Sequence, residues 1–204
     1  SFPTRRSSDL AYGEVTMSSL QCIMEYNKEF VNNKQYEKYV TDKIPKKKMA
    51  ILSCMDTRLT ELLPKAMNIK NGDAKIIKDA GATIMHPFGG VMRSILVAVY
   101  EFGAEDVFVI GHHNCGMSNL DTKSLIDKIK NRGIKEDTFD ILKYAGIDVE
   151  GWLYGFSCAE ESIRESVKMI KNHPLFPKDV RVHGLIISPE TGKLDIIING
   201  DENK

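Results

Sequence analysis

The sequence predicts an α/β fold: a mostly parallel central β-sheet with an antiparallel edge strand, flanked by helices. Three observations lead there. Short apolar runs rich in strand formers alternate with stretches of helical periodicity, the pattern of a parallel sheet covered on both faces. Two of those runs, Met49-Ala50-Ile51-Leu52 and Val107-Phe108-Val109-Ile110, stop at chemistry-bearing residues, as parallel strands do when their carboxyl ends open on a site. The last two runs are separated by Pro189-Glu190-Thr191-Gly192, which reads as the turn of a terminal hairpin.

Each element has its own signal. From Ser18 to Val31 the apolar residues Leu20, Ile23, Met24, Phe30 and Val31 fall on one helix face. Lys46-Lys47-Lys48 reads as a solvated turn. A strand over 49–53 follows, then a short helix over 59–67 in which Pro64 belongs only near the first turn or at a break. Asn71-Gly72-Asp73 turns the chain into a second strand over 74–78, closed by Asp79-Ala80-Gly81-Ala82. Met85-His86-Pro87-Phe88-Gly89-Gly90 is a loop rich in breakers. An apolar helix over 91–102 ends at Gly103 as its cap, and the third strand covers 106–110. Two helical stretches lie around 120–130 and 135–144. Ser157-Cys158-Ala159-Glu160 has the form of a capping box, opening a helix that runs to about Lys171 and stops before Pro174. Strands over 180–188 and 194–198 complete the sheet.

Composition narrows the function classes. The chain has 204 residues, 42% hydrophobic and 27% charged, ordinary for a soluble globular protein with a real core. Lys plus Arg equals Asp plus Glu at 28 each, so the basic footprint of a nucleic-acid binder is absent. No apolar run approaches the ~20 residues of a membrane span, and no secretory leader is evident. The first ten residues have no periodicity and read as foreign sequence. Residues 1–16 are therefore expected to be a non-native or disordered leader, with Met17 as the native start and 17–204 as one domain. The four cysteines, Cys22, Cys54, Cys115 and Cys158, form no C-x-x-C and suit a reducing cytoplasm better than a disulfide framework. Cys22 and Cys158 fall in helical stretches and are expected to be small buried hydrophobes. Trp152 and Tyr154 are expected in the core.

The chemistry sits in Cys54-Met55-Asp56-Thr57-Arg58 and His112-His113-Asn114-Cys115. Two thiolates and an imidazole brought together at strand ends make a zinc site with one position open, and an open position favours catalysis over scaffolding. Cys54, His112 and Cys115 supply the three ligands. Asp56, two residues from a ligand, is placed to accept a hydrogen bond from a metal-held hydroxide. Arg58 keeps that carboxylate ionised and oriented. Without Cys54 beside it, an Asp-x-Arg pair would read as a weak surface ion pair.

C-x-D-x-R, then H-x-x-C, with Ala80-Gly81 between them, resembles the β-class carbonic anhydrases. The likeness extends over nearly all of the chain after residue 17, through Lys78-Asp79-Ala80-Gly81, Gly111-His112-His113-Asn114-Cys115-Gly116-Met117 and Val182-His183-Gly184-Leu185. The short length resembles the archaeal and Gram-positive branch. The resemblance implies Zn²⁺ on Cys54, His112 and Cys115, with His112 rather than His113 as the ligand. It implies Asp56 and Arg58 as the catalytic pair, and Gly81, with Gly116, in the substrate pocket. It implies reversible hydration of carbon dioxide to bicarbonate and a proton by zinc-held hydroxide. His86 and His113 are candidates to carry the proton out. Two departures stand out: Asp79 where many members have Asn, and Asn114 where related short members often have Asp.

Two other readings stay open. One is hydrolysis of carbonyl sulfide or carbon disulfide on the same scaffold. The other is a non-catalytic zinc module closed by a fourth ligand, with Cys158, His113, His86 or a displaced Asp56 as the candidates. The expected partners are the small-molecule substrate and a second copy of the chain, in a homodimer or a higher even oligomer. The apolar stripe of the first helix has no evident place in the alternating α/β core, and the resemblance implies that this helix crosses the other subunit.

Overall fold

Five apolar runs become strands: β1 (Met49–Cys54), β2 (Ala74–Asp79), β3 (Asp106–His112), β4 (Arg181–Ile187) and β5 (Leu194–Ile198). In the computed structural model, which describes residues 17–202, they form one sheet in the order β2-β1-β3-β4-β5. The β1–β2, β1–β3 and β3–β4 pairs are parallel, and β4–β5 is antiparallel. The expected sheet is therefore present: β1 and β2 run one residue and β3 two residues beyond the expected ends, β4 is one residue shorter at each end, and β5 matches.

The described residues divide between Thr41 and Asp42 into two compact units. The expected leader, residues 1–16, lies outside the described residues. In the first unit α1 (Ser19–Asn32) opens with a capping box. Ser18 Oγ accepts the Gln21 N–H at 3.3 Å, and Gln21 Oε1 accepts the Ser18 N–H at 2.8 Å. None of the α1 residues is buried, and Leu20, Ile23 and Met24 are 68%, 56% and 50% exposed.

In the second unit the sheet is covered on both faces. The helices α3 (Gly90–Tyr100) and α7 (Ala159–Asn172) pack on β1 to β4. There Ala50, Leu52, Val107, Val109, Val182 and Ile186 meet Met92, Ile95, Ile163, Val167 and Ile170. On the other face α2 (Leu59–Ala66) brings Leu59 and Leu63 against Ile51, Ile110 and Ile187. Two strand glycines let α7 approach: a Cβ on Gly111 or Gly184 would meet the Ile163 side chain at 2.9 or 2.6 Å.

Several local expectations are corrected. Pro64 lies inside α2 rather than at its start or a break. Only two helical residues follow it, and the chain then leaves through a left-handed Asn68 (φ 52), with the Ile69 N–H donating to Pro64 O at 2.7 Å. Ser157 does not cap α7. Cys158 is the capping residue, exposed rather than buried, and its Sγ donates to Glu160 Oε2 at 3.2 Å. Cys22 is only half-buried. Trp152 and Tyr154 are 68% and 47% exposed, because the short α6 (Val149–Leu153) packs on α4 (Thr122–Asn131) and α5 (Glu136–Tyr144) rather than on the sheet. That helix was not expected. Its signal is Asp148, whose carboxylate accepts the Gly151 N–H at 3.0 Å.

Candidate metal centre

β1 and β3 are neighbours, yet the chain leaves β1 for β2 on one side before returning as β3 on the other. Strand ends part at such a switch point and leave a crevice. Cys54 ends β1, His112 ends β3, and Cys115 follows three residues on. The turn that carries Cys115 is held by a left-handed Asn114 (φ 53), by the Ser118 N–H on Cys115 O at 3.0 Å, and by the His113 N–H on Ile187 O at 3.1 Å.

The donor atoms of Cys54, His112 and Cys115 lie within 4.8 Å of one another, and all three residues are buried. The sulfurs are 3.8 Å apart, far beyond the ~2.05 Å of a disulfide bond. His112 Nδ1 stands 2.9 Å from His113 O. This contact fixes the ring proton on Nδ1 and leaves Nε2 a bare lone pair, which is buried and has no hydrogen-bond partner. A buried orphan acceptor beside two thiols is costly unless something binds it. Zinc is bound by this donor set, and the Nδ1 contact is the outer hydrogen bond that orients a ligating imidazole. The residues fit a metal ion. Among the described residues, the cluster has three donors and no fourth.

Charge is already partly in place. Without a metal, burial would raise the Cys54 thiol, but His112 in its protonated form, which Cys54 in turn favours, and the N–H groups of Asp56 and Gly81 outweigh it and draw it down to about 7. The Gly81 N–H reaches Cys54 Sγ at 3.4 Å, and Gly81 takes a left-handed φ of 78 there. Burial pushes the Cys115 thiol up to about 11, with Cys54 adding to the rise. A bound metal would hold both as thiolates.

Asp56 and Arg58 lie at the rim. Asp56 accepts three hydrogen bonds from Arg58: backbone N–H to Oδ1 at 2.9 Å, Nε to Oδ1 at 3.0 Å and Nη2 to Oδ2 at 2.9 Å. The guanidinium holds the Asp56 carboxyl down to about 2. Asp56 Oδ2 is 3.7 Å from His112 Nε2, so the carboxylate borders the donor cluster.

Gly81 is buried against Cys54, while Gly116 is exposed in the turn after Cys115. His113 is exposed next to His112. His86 stands in a separate loop, where its Nδ1 accepts the Phe88 N–H at 3.0 Å. Asp79 is half-buried at the end of β2, and burial raises its carboxyl. Sequence reasoning missed several neighbours. Lys78 Nζ donates to Cys54 O at 3.2 Å. Arg58 Nη2 donates to Asn114 O at 3.2 Å, and Arg58 Nη1 faces Glu190 Oε1 at 4.0 Å. Met117 and Phe156 pack against the cluster that contains both cysteines. Strand order could have found Glu190, since the turn after β4 must lie beside the end of β3. An apolar hollow of about 580 Å³ lined by Phe88, Leu96, Val97 and Leu175 shares no residue with the site, so cavity size alone does not find the chemistry.

Known proteins resemble this chain over most of its length. The carbonic anhydrase family model matches residues 49–194. YtiB of Bacillus subtilis (strain 168), provisionally named a carbonic anhydrase, is 60% identical over 187 residues, covering 92% of this chain and all of that protein. A β-carbonic anhydrase crystal structure from Trichomonas vaginalis superposes with a TM-score of 0.82 at 36% identity, covering 90% of this chain and all of that one. A carbon disulfide hydrolase of Acidithiobacillus thiooxidans is 29% identical over 157 residues, 72% of this chain and 76% of that protein.

Proposed function

This chain belongs to the β-carbonic anhydrase family, and we propose that it is a zinc enzyme that reversibly hydrates carbon dioxide to bicarbonate and a proton. The observation that carries the reading is the buried, partnerless His112 Nε2 between two cysteine sulfurs, with the Asp56–Arg58 pair at its edge. Cys54, His112 and Cys115 would hold the ion. When bound, zinc supplies a nucleophile by acidifying a water near neutral pH.

The residues around the ion do the rest. Asp56, kept ionised by Arg58, accepts a hydrogen bond from the nucleophile and turns a lone pair toward the substrate carbon. Arg58 fixes the carboxylate from two directions, so the acceptor is already aimed before substrate arrives. Gly81 adopts its left-handed turn at low cost and brings its N–H to the Cys54 sulfur. That hydrogen bond tempers the charge of a thiolate. His113, exposed beside the ligand loop, and His86 are the proposed proton carriers, since imidazole titrates near neutral pH. Gly116 is proposed to line the pocket with Gly81.

A second reading keeps the site and changes the substrate to carbonyl sulfide or carbon disulfide; the carbon disulfide hydrolase relative favours it. A purely structural zinc module is disfavoured by the three-donor cluster, since structural zinc sites are closed by four ligands. We further propose a cytoplasmic homodimer. No described helix is long and apolar enough to cross a membrane, and the exposed apolar stripe of α1 is of the kind that association covers. The test of function is stopped-flow hydration of carbon dioxide by the zinc-loaded chain, run beside both sulfur substrates. Zinc-loaded protein with no rate above buffer on carbon dioxide would refute the proposal, and a rate on carbon disulfide alone would establish the second reading.

A further inference from the structure

We propose that the Phe156 ring, backed by Met117, is the specificity-determining wall of the site and favours carbon dioxide over carbonyl sulfide and carbon disulfide. The inference rests on the function proposed above and names the residues that choose among its substrates.

Gly81 connects the wall to the chemistry. Its N–H touches Cys54 Sγ, while a methyl group in place of its hydrogen would meet the Phe156 ring at 2.7 Å and Met117 Cβ at 3.3 Å. The ring is therefore pressed against the residue that contacts a metal-ligating sulfur, with no room between them for one more carbon. Both side chains also pack against the buried cluster that holds Cys54 and Cys115, yet each is only half-buried and keeps an accessible face.

The wall is also fixed in place. The Phe156 N–H donates to Met117 O at 3.2 Å, and the Asn119 N–H donates to Phe156 O at 2.7 Å. A parallel bridge joins Ser118 to Phe156. Gly155 is bare because any Cβ there would run into the Met117 carbonyl. The two segments are thus laced together just after Cys115, which holds the backbone that carries the ring and keeps the ring against Gly81.

An aromatic face and a thioether chain make an apolar surface suited to a linear, apolar triatomic molecule. Sulfur is larger than oxygen and its bond to carbon is longer. A wall that cannot yield therefore penalises carbonyl sulfide and carbon disulfide more than carbon dioxide. If Phe156 only filled the core, shortening it would harm all three substrates alike.

The test measures kcat/KM for carbon dioxide, carbonyl sulfide and carbon disulfide with the zinc-loaded wild type, Phe156→Ala and Phe156→Leu, with zinc content determined for each. Phe156→Ala is expected to raise the ratio of carbonyl sulfide to carbon dioxide by about tenfold, the scale on which apolar pockets discriminate by size. Zinc should stay at one per chain. Should Phe156→Ala fail to fold, Phe156→Leu carries the same expectation with a rise of about threefold. Unchanged ratios in a folded, zinc-loaded variant that still hydrates carbon dioxide would overturn the wall alone. A zinc-loaded wild type inactive on all three substrates would instead overturn the underlying function, and the wall with it.

Discussion

Replacing Asp56 by Asn should abolish most turnover, leave zinc bound, and cost a small, pH-dependent part of the stability. The stability part can be worked from the Arg58 contacts. Asp56 titrates at about 2 in the folded chain against an ordinary 3.8. A pKa unit is worth about 1.36 kcal/mol, so the ceiling is about 2.4 kcal/mol. The Arg58 side chain is 43% exposed, and solvent screening brings the expected loss nearer to about 1 kcal/mol. A loss of that size lowers the Tm by about 2–4 °C in a chain of this length. The sign follows from the depressed pKa. The folded state favours the carboxylate, so the contribution is complete above the unfolded value near 3.8 and disappears as pH falls through about 2. Urea melts of metal-free wild type and variant should therefore differ at pH 7 and by roughly half as much at pH 3. The activity part is larger: losing a positioned acceptor commonly costs about 100-fold or more. Stopped-flow hydration and elemental analysis measure the rate and the metal. Near-normal turnover in the zinc-loaded variant would refute the role of Asp56. A stability gap that is equal at pH 7 and pH 3 would refute the ion-pair account.

Cys54→Ser and Cys115→Ser should each lose zinc on dialysis against a mild chelator; elemental analysis showing one zinc per chain in both would remove the ligand assignment. Gly184→Ala should destabilise the fold by about 1–3 kcal/mol, because its methyl would meet Ile163 Cγ2 at 2.6 Å. The same change should cost less in an Ile163→Ala background, and denaturant melts that show simple additivity would contradict the close approach of α7. Light scattering should give a dimer for the full chain and for a chain lacking residues 1–16, with aggregated, weakly active protein when residues 1–33 are removed. A stable, active monomer of the full chain would overturn the assembly.

The sheet was legible because its strands announce themselves twice, by apolar runs and by what terminates them. Met49–Cys54 and Asp106–His112 are buried on both faces, so their composition leaves little choice of structure. The metal cluster followed because both strands end on ligands and their order puts those ends side by side. Residues whose role depends on a neighbour distant in sequence were not legible. Nothing in Tyr154-Gly155-Phe156-Ser157 tells that Phe156 lies against Gly81, because that contact depends on how the segment before α7 is laced to Met117. Trp152 and Cys158 were misplaced for the opposite reason. Their apolar character suggested burial, but a five-residue helix and a helix mouth offer no sheet to bury against.

On the proposed function, the contacts of Asp56 with Arg58 also bear on the open position of the site. With Oδ2 at 3.7 Å from His112 Nε2, a carboxylate freed from arginine would stand as a fourth donor and close the cluster in the manner of a structural site. Three hydrogen bonds oppose this, yet they lie in a partly exposed place and are together worth only about 1 kcal/mol by the reckoning above. The arginine is itself docked on the ligand loop, because Asn114, between His112 and Cys115, turns left-handed and presents its carbonyl to Arg58 Nη2. On its other edge Glu190, held by the Ser188 hydroxyl at 3.1 Å, faces Nη1. Arg58 thus keeps an anionic neighbour and a carbonyl whether or not Asp56 is attached. Letting Asp56 go would therefore not strand the charge of the arginine. That support around Arg58 comes from Asn114 and Glu190, and the motif Asp-x-Arg by itself gives no hint of it.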